Sequence, residues 1–92
     1  MITLATVVRR KPDVMTAEFD GEIVLMDLSA GAYFGLNVTS SDIWRHLAEP
    51  IRVEALCRTL AGEYQDDPAI IENDILVLLQ TLETRALLDI VP

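Results

Sequence analysis

Few side chains in this sequence could do chemistry, and their settings argue against it. His46 is the only histidine. It falls on the polar side of a short helical stretch near its C-terminal end, where a cation is mildly favoured. No cysteine lies at metal-ligand spacing from it, and no Ser/Asp constellation accompanies it. Cys57 is the only cysteine, so no internal disulfide can form. It lies on an apolar stripe and reads as a buried structural thiol. A nucleophile would need a base and an electropositive setting, and only Arg58 is at hand. Asp66 and Asp67 read as a solvated loop and a helix cap, because one carboxylate pair without further ligands is not a cation site. Trp44 reads as core. The sequence therefore offers no catalytic set, no cofactor site and no metal site.

The totals point the same way. The chain has 92 residues, enough for one domain, 1–92, that buries a little over ~60% of its unfolded surface. That leaves little room for an enclosed active site. Seven Lys/Arg against 15 Asp/Glu give a net charge of −8. Three of the cations cluster at Arg9, Arg10 and Lys11, in an N-terminal arm or extra strand (residues 1–12), so the remainder is more acidic still. Nucleic acid would be repelled by most of this surface. The N-terminus lacks the pattern of a signal peptide, and no stretch approaches the ~20 apolar residues of a membrane span. The expectation is a soluble cytoplasmic protein, with no membrane partner.

Residues 13–37 have the pattern of a three-stranded antiparallel meander. Asp20-Gly21 is a two-residue type I′ turn signal, and counting outward pairs Phe19 with Glu22, Ala17 with Val24 and Met15 with Met26. A second turn at Ser29-Ala30-Gly31 would pair Leu28 with Ala32, Met26 with Phe34 and Val24 with Leu36. The two registers agree in placing Met15, Ala17, Phe19, Val24, Met26, Leu28, Ala32, Phe34 and Leu36 on one face, with Tyr33 on the other, open to packing or partner contact. The strand over 32–37 is then an edge, and GAYFGLN has none of the Lys, Pro or charge that blunts exposed edges.

Residues 38–92 read as three helices. The first spans 40–48 with Thr39 as N-cap and Ile43, Trp44 and Leu47 inward. The second spans about 52–64, with Val53, Leu56, Cys57, Leu60 and Tyr64 at amphipathic spacing. The third starts with Asp67 as N-cap and Pro68 in the first turn and runs to about Ala86. Ile71, Ile75, Leu78, Leu79 and Leu82 form its core stripe. Ile70, Asp74, Val77 and Thr81 form a second strip, and a surface helix needs only one apolar stripe. Two explanations stand open: burial on two sides, by the arm or a dimer mate, or a groove between this helix and strand 32–37. Such a groove offers unpaired backbone groups and apolar pockets, the requirements for binding an extended peptide by β-strand addition. Asp74 is either solvated or pairs with an amide or cation of that peptide.

The run Asp27-x-x-x-Gly31-x-Tyr33-x-x-Leu36-Asn37-x-Thr39, followed by Ile43-Trp44, resembles the PqqD-like family, the recognition elements for ribosomally made, post-translationally modified peptides (RiPPs). Val53-Glu54-Ala55-Leu56, Leu60, Tyr64, Asp74-Ile75, Leu79 and Leu82 extend the resemblance from about residue 7 to residue 91. Arg52 departs from it, standing where the family often has a Ser or Thr cap. The resemblance implies an α+β, winged helix-turn-helix-like fold, a three-stranded antiparallel sheet followed by three helices. It implies a non-catalytic adaptor that binds the leader region of a precursor peptide as a fourth strand and hands it to a separate peptidase or other modifying enzyme. The residues implied to line the groove are Ala32, Tyr33, Phe34, Gly35, Leu36, Ile70, Ile71, Asp74, Val77, Leu78 and Thr81. A free-standing acidic domain of this length looks most like the leader-binding partner of a lasso-peptide leader peptidase. The peptide chaperone of pyrroloquinoline quinone (PQQ) biosynthesis is the alternative.

Two readings of another class compete. A winged-helix DNA-binding regulator would present several Arg or Lys on its third helix, where only Gln80 and Arg85 stand near the end and Asn73 lies beside two acids. A self-pairing homodimer would satisfy the strand edge as well as a peptide does, so monomer and weak homodimer both remain open.

Overall fold

The computed structural model describes residues 1–28 and 30–92. The element order is β1 (Val7–Arg10), β2 (Met15–Phe19), β3 (Glu22–Asp27), β4 (Ala32–Gly35), α1 (Val38–His46), β5 (Ile51–Arg52), α2 (Val53–Tyr64), α3 (Pro68–Thr84) and β6 (Leu88–Val91). The fold is α+β, with three helices and two antiparallel sheets, ordered β2-β3-β4 and β5-β1-β6.

The first hairpin forms in the expected register. Phe19 pairs with Glu22, Ala17 with Val24 and Met15 with Met26. Asp20 and Gly21 both take positive φ (51° and 83°), as a type I′ turn requires. The second hairpin is a correction. Asp27 pairs with Ala32, Met26 with Tyr33, Leu25 with Phe34 and Val24 with Gly35. That is one residue away from the expected pairing of Met26 with Phe34. The turn is longer because the Asp27 carboxylate accepts the Ala30 N–H (3.2 Å) and Gly31 closes the loop at φ 65°. Ser29, expected within this turn, lies outside the described residues.

The slip reverses β2 and β3 relative to β4. Phe34 and Leu36 do face the core, but their neighbours there are Ile23 and Leu25, which are buried. Met15, Ala17, Phe19, Val24 and Met26, expected inside, form the outer face together with Tyr33 and Gly35. Phe19 is 67% exposed and Tyr33 73% exposed.

Helix α1 begins two residues earlier than expected. Asn37, not Thr39, is its N-cap, with its side chain accepting the Ser40 N–H at 2.8 Å. Ile43, Trp44 and Leu47 are buried, as are Val53, Leu56 and Leu60 of α2. Helix α3 is capped as expected, the Asp67 carboxylate accepting the Ala69 N–H at 2.9 Å ahead of Pro68.

The N-terminal arm and the C-terminal tail make a sheet of their own. Val7–Arg10 pairs with Leu88–Val91 on one side and Ile51–Arg52 on the other. Asp89 takes Lys11 Nζ at 2.7 Å and Arg9 at 3.3 Å, and these bonds, Lys11 first, hold its carboxyl below the usual range. Arg52 gives α2 no side-chain cap. The arm supplies the acceptors instead: Val53 and Glu54 donate to the carbonyls of Thr6 (2.8 Å) and Leu4 (2.9 Å).

Ser41 is the buried polar residue among the described ones. Its hydroxyl accepts the Ile23 N–H (2.8 Å) and donates to the Leu36 carbonyl (3.4 Å). Where the β3–β4 ladder ends, α1 is thereby bonded to both strands. Ser41→Ala strands a buried donor and a buried acceptor, so a loss of about 1–3 kcal/mol is expected in urea denaturation.

Candidate functional site

Strand β4 has a paired edge and an unpaired one. Leu36 donates its N–H to the Ile23 carbonyl at 2.8 Å. By antiparallel alternation, Phe34 and Ala32 also direct their backbone groups to β3, while Tyr33 and Gly35 direct theirs outward. Among the described residues β4 has β3 as its strand neighbour and nothing on the other side. Ala32, Tyr33 and Gly35 are exposed, Phe34 is half-buried and Leu36 is buried. Gly35 stays in register opposite Val24 and marks no bulge.

A second uncovered surface is a flank of α3. Ile71, Ile75, Leu79 and Leu82 are buried, and Leu78 is half-buried at their border. Asp74, Leu78, Thr81 and Arg85 follow at steps of three and four, so they line one side of the helix. Ile70 and Val77 lie beyond them, 52% and 58% exposed. Residues Val7–Arg10 of the arm pair with β5 and β6, and Ile70 and Val77 stay exposed.

One end of the flank reaches β4, and the other lies near the start of α1. At one end the Arg85 guanidinium lies over the Phe34 ring, 4.5 Å from its centroid. Beneath it is a notch of about 30 Å³ shared by Leu25, Asp27, Ala32, Tyr33, Phe34 and Leu87. At the other end Asp74 shares a pocket of about 110 Å³ with Thr39, Ile43, Tyr64 and Ile71. The turn that holds Arg85 is tight. Ala86 takes φ 59°, Leu87 donates back to the Leu82 carbonyl (2.9 Å) and Ala86 to that of Glu83 (3.0 Å), a Schellman closure without its usual glycine. Of the eleven residues expected to line a groove, Ala32, Tyr33, Phe34 and Gly35 lie on β4 with Leu36 buried just after it, and Ile70, Ile71, Asp74, Val77, Leu78 and Thr81 lie on α3, with Ile71 buried. Arg85 and Ser41 were not anticipated. Arg85 sits one helical step past Thr81, a spacing that could have flagged it.

A larger hollow of about 340 Å³ lies elsewhere, between the two sheets, lined by Lys11, Asp13, Met26, Asp27, Leu87 and Asp89 among others. Its cation, Lys11, is paired with Asp89. His46 faces Glu63 at 3.1 Å on the surface. The Tyr64 hydroxyl donates to Asp42, which raises its pKa. No described cluster of three His, Cys, Asp or Glu side chains could hold a metal ion. Burial, and then the charge of Glu72, push the half-buried Cys57 thiol up. Iodoacetamide should therefore alkylate it more slowly at pH 7 than a free cysteine, with the rate rising only at higher pH; alkylation as fast as free cysteine would contradict this setting.

The family model described as coenzyme PQQ synthesis protein D (PqqD) matches residues 22–88, from the start of β3 to the start of β6. The chain belongs to the PqqD family. Among solved structures, TbiB1 in complex with the TbiA(beta) leader peptide is 34% identical, with 88% of this chain and 94% of that one covered and a TM-score of 0.78. Lasso peptide synthetase B1 complexed with the leader peptide is 27% identical over 92% and 98%, with a TM-score of 0.76. The PqqD part of Methylobacterium extorquens PqqCD, described as a stand-alone RiPP recognition element, shares the fold: TM-score 0.80 over 97% and 95% at 24% identity. No curated protein matches the chain. Among the described residues no helix of this PqqD-family chain is long and apolar enough to cross a membrane.

Proposed function

We propose that this chain, acting as one unit, is a non-catalytic, cytoplasmic adaptor. It binds the leader of a ribosomally made precursor peptide as a strand added to β4, between β4 and α3, and presents it to a separate modifying enzyme. The observation that carries the reading is that Arg85 at the end of α3 lies over Phe34 of β4, which brings together elements that each carry an uncovered feature. One is the outward backbone of Tyr33 and Gly35; the other is the apolar flank of Ile70, Val77 and Leu78. The fold is read as a variant of the winged helix, with the acidic surface turned to peptide rather than to DNA. The two more similar structures both hold leader peptides, and one is a lasso peptide synthetase B1. This favours a lasso-peptide leader peptidase as the receiving enzyme over the PQQ pathway.

The energies suit a transient carrier. Two N–H and two carbonyl groups at about 1 kcal/mol each, with two apolar anchors at about 1.5–3 kcal/mol each, are offset by about 2–5 kcal/mol of peptide ordering and by lost association entropy. Micromolar affinity is therefore the most that these contacts support. Fluorescence polarisation of the labelled leader of the precursor encoded nearest this gene tests the reading, with the oligomeric state followed in parallel. Saturable binding by a monomer supports it. No binding by a monodisperse dimer would instead mean that the edge is closed by a second copy.

The outer sheet face suits the enzyme. Met15, Phe19, Val24, Met26 and Tyr33 make it apolar, and exposed patches of this kind mark contact sites. Its acidic margin, Asp13, Asp20 and Glu22, disfavours a second copy and suits a partner whose own margin is basic. Phe19→Glu should leave the leader titration unchanged while weakening capture of the leader peptidase. Unchanged capture would place the enzyme elsewhere.

A further inference from the structure

Arg85 makes no ion pair among the described residues, in a chain of net charge −8, although Asp27 borders the same notch. Arg9 and Lys11 share Asp89, Arg45 takes Asp42 and Glu18, and Arg58 takes Glu54. The Arg85 guanidinium instead lies over the Phe34 ring of β4, 4.5 Å from its centroid. Stacking occupies one face of the guanidinium and leaves its edge N–H groups free to meet a planar acceptor. The notch below it, lined by Leu25, Asp27, Ala32, Tyr33 and Leu87, adjoins β4, so a strand added to β4 would pass within reach of the guanidinium.

The groove is also electrically polar along its length. Asp74 stands beside the Thr39–Ile43 pocket, past the C-terminal end of β4, and Arg85 stands over β4 itself. From Asp74 to Arg85 the helix advances about 16 Å, a length spanned by about five residues of extended strand. A peptide that continues the antiparallel sheet runs against β4. It meets the Asp74 pocket first and Arg85 later.

We propose that Arg85 selects the peptide by its charge: the strand bound beside β4 carries an Asp or Glu about five residues C-terminal to the side chain that enters the Thr39–Asp74 pocket. This rests on the leader-binding reading and assigns that groove a direction and a specificity-determining residue. Helical spacing from Thr81 marks the position of Arg85, but its contact with Phe34 depends on how the strand faces.

The test is a charge swap. The probe is the fluorescein-labelled leader of the precursor encoded nearest this gene, made in two series. Positions four to six residues C-terminal to the anchor are set in turn to Glu or to Lys. The anchor is the residue whose alanine replacement costs most binding. On the wild-type protein, the Glu peptide at one of these positions is expected to bind about tenfold tighter than its Lys counterpart. On Arg85→Glu the order should invert, with the Lys peptide regaining affinity. A merely structural role for the stacked arginine would weaken both peptides alike. Equal binding of Glu and Lys peptides by the wild type overturns the proposal and leaves the leader-binding reading standing. A Glu preference found only the same distance N-terminal to the anchor overturns the antiparallel assignment. Binding of no peptide by the wild type overturns both.

Discussion

Val77→Glu is expected to abolish measurable leader binding at micromolar concentrations while leaving the melting temperature within a few degrees of the wild type. Val77 is 58% exposed on the groove flank of α3, two residues before fully buried Leu79. A carboxylate there stays solvated in the free protein, so the fold is not penalised. Once a strand covers it, the same carboxylate loses water without gaining a partner, and the valine contact is lost as well. Together these cost at least about 2 kcal/mol, roughly thirty-fold in affinity. Polarisation titration and thermal denaturation of the two proteins side by side check both halves. Unimpaired binding would remove α3 from the site.

The second large effect concerns the backbone. Gly35→Pro should weaken leader binding about tenfold or more with little change in stability. The Gly35 N–H faces outward, since Leu36 and Phe34 serve the ladder to β3. Proline at an edge strand is tolerated where its missing N–H faces solvent. A Cβ at this position meets nothing within 4 Å. The substitution therefore deletes one donor of the added strand, about 1 kcal/mol, and sets the proline ring in the strand's path. Gly35→Ala is the control, keeping the N–H and hence the affinity. A loss of equal size in both variants would point to backbone stiffness rather than to strand addition.

Much of this arrangement was legible in the sequence, for identifiable reasons. Asp20-Gly21 pins the first hairpin because its backbone demands leave one register. Asp67-Pro68 fixes the start of α3, and the steps of three and four from Ile70 to Thr81 display the second strip. The β3–β4 register was not legible, because Ile23 and Leu25 on one face are as apolar as Val24 and Met26 on the other. Pattern agreement then holds for either choice. The turn length decides, and it depends on the bond from Ala30 N–H to the Asp27 carboxylate. Asn37 and Thr39 are both good caps, so the entry to α1 could be misplaced by two residues. The second sheet joins strands of four, two and four residues from distant parts of the chain, too short to show a period. Ser41 and Arg85 were missed because their roles come from tertiary contact: a hydroxyl that bonds two strands, and a guanidinium that lies on an aromatic ring.

Amide hydrogen exchange at Tyr33 and Gly35, read by NMR on the isotopically labelled protein with and without saturating leader peptide, tests the central claim most directly. Strand addition predicts that exchange at one or both of these outward amides slows markedly when the leader is bound. Phe34 and Leu36, already bonded to β3, should change little by comparison. A leader that saturates the protein while Tyr33 and Gly35 exchange as fast as before would contradict strand addition at β4.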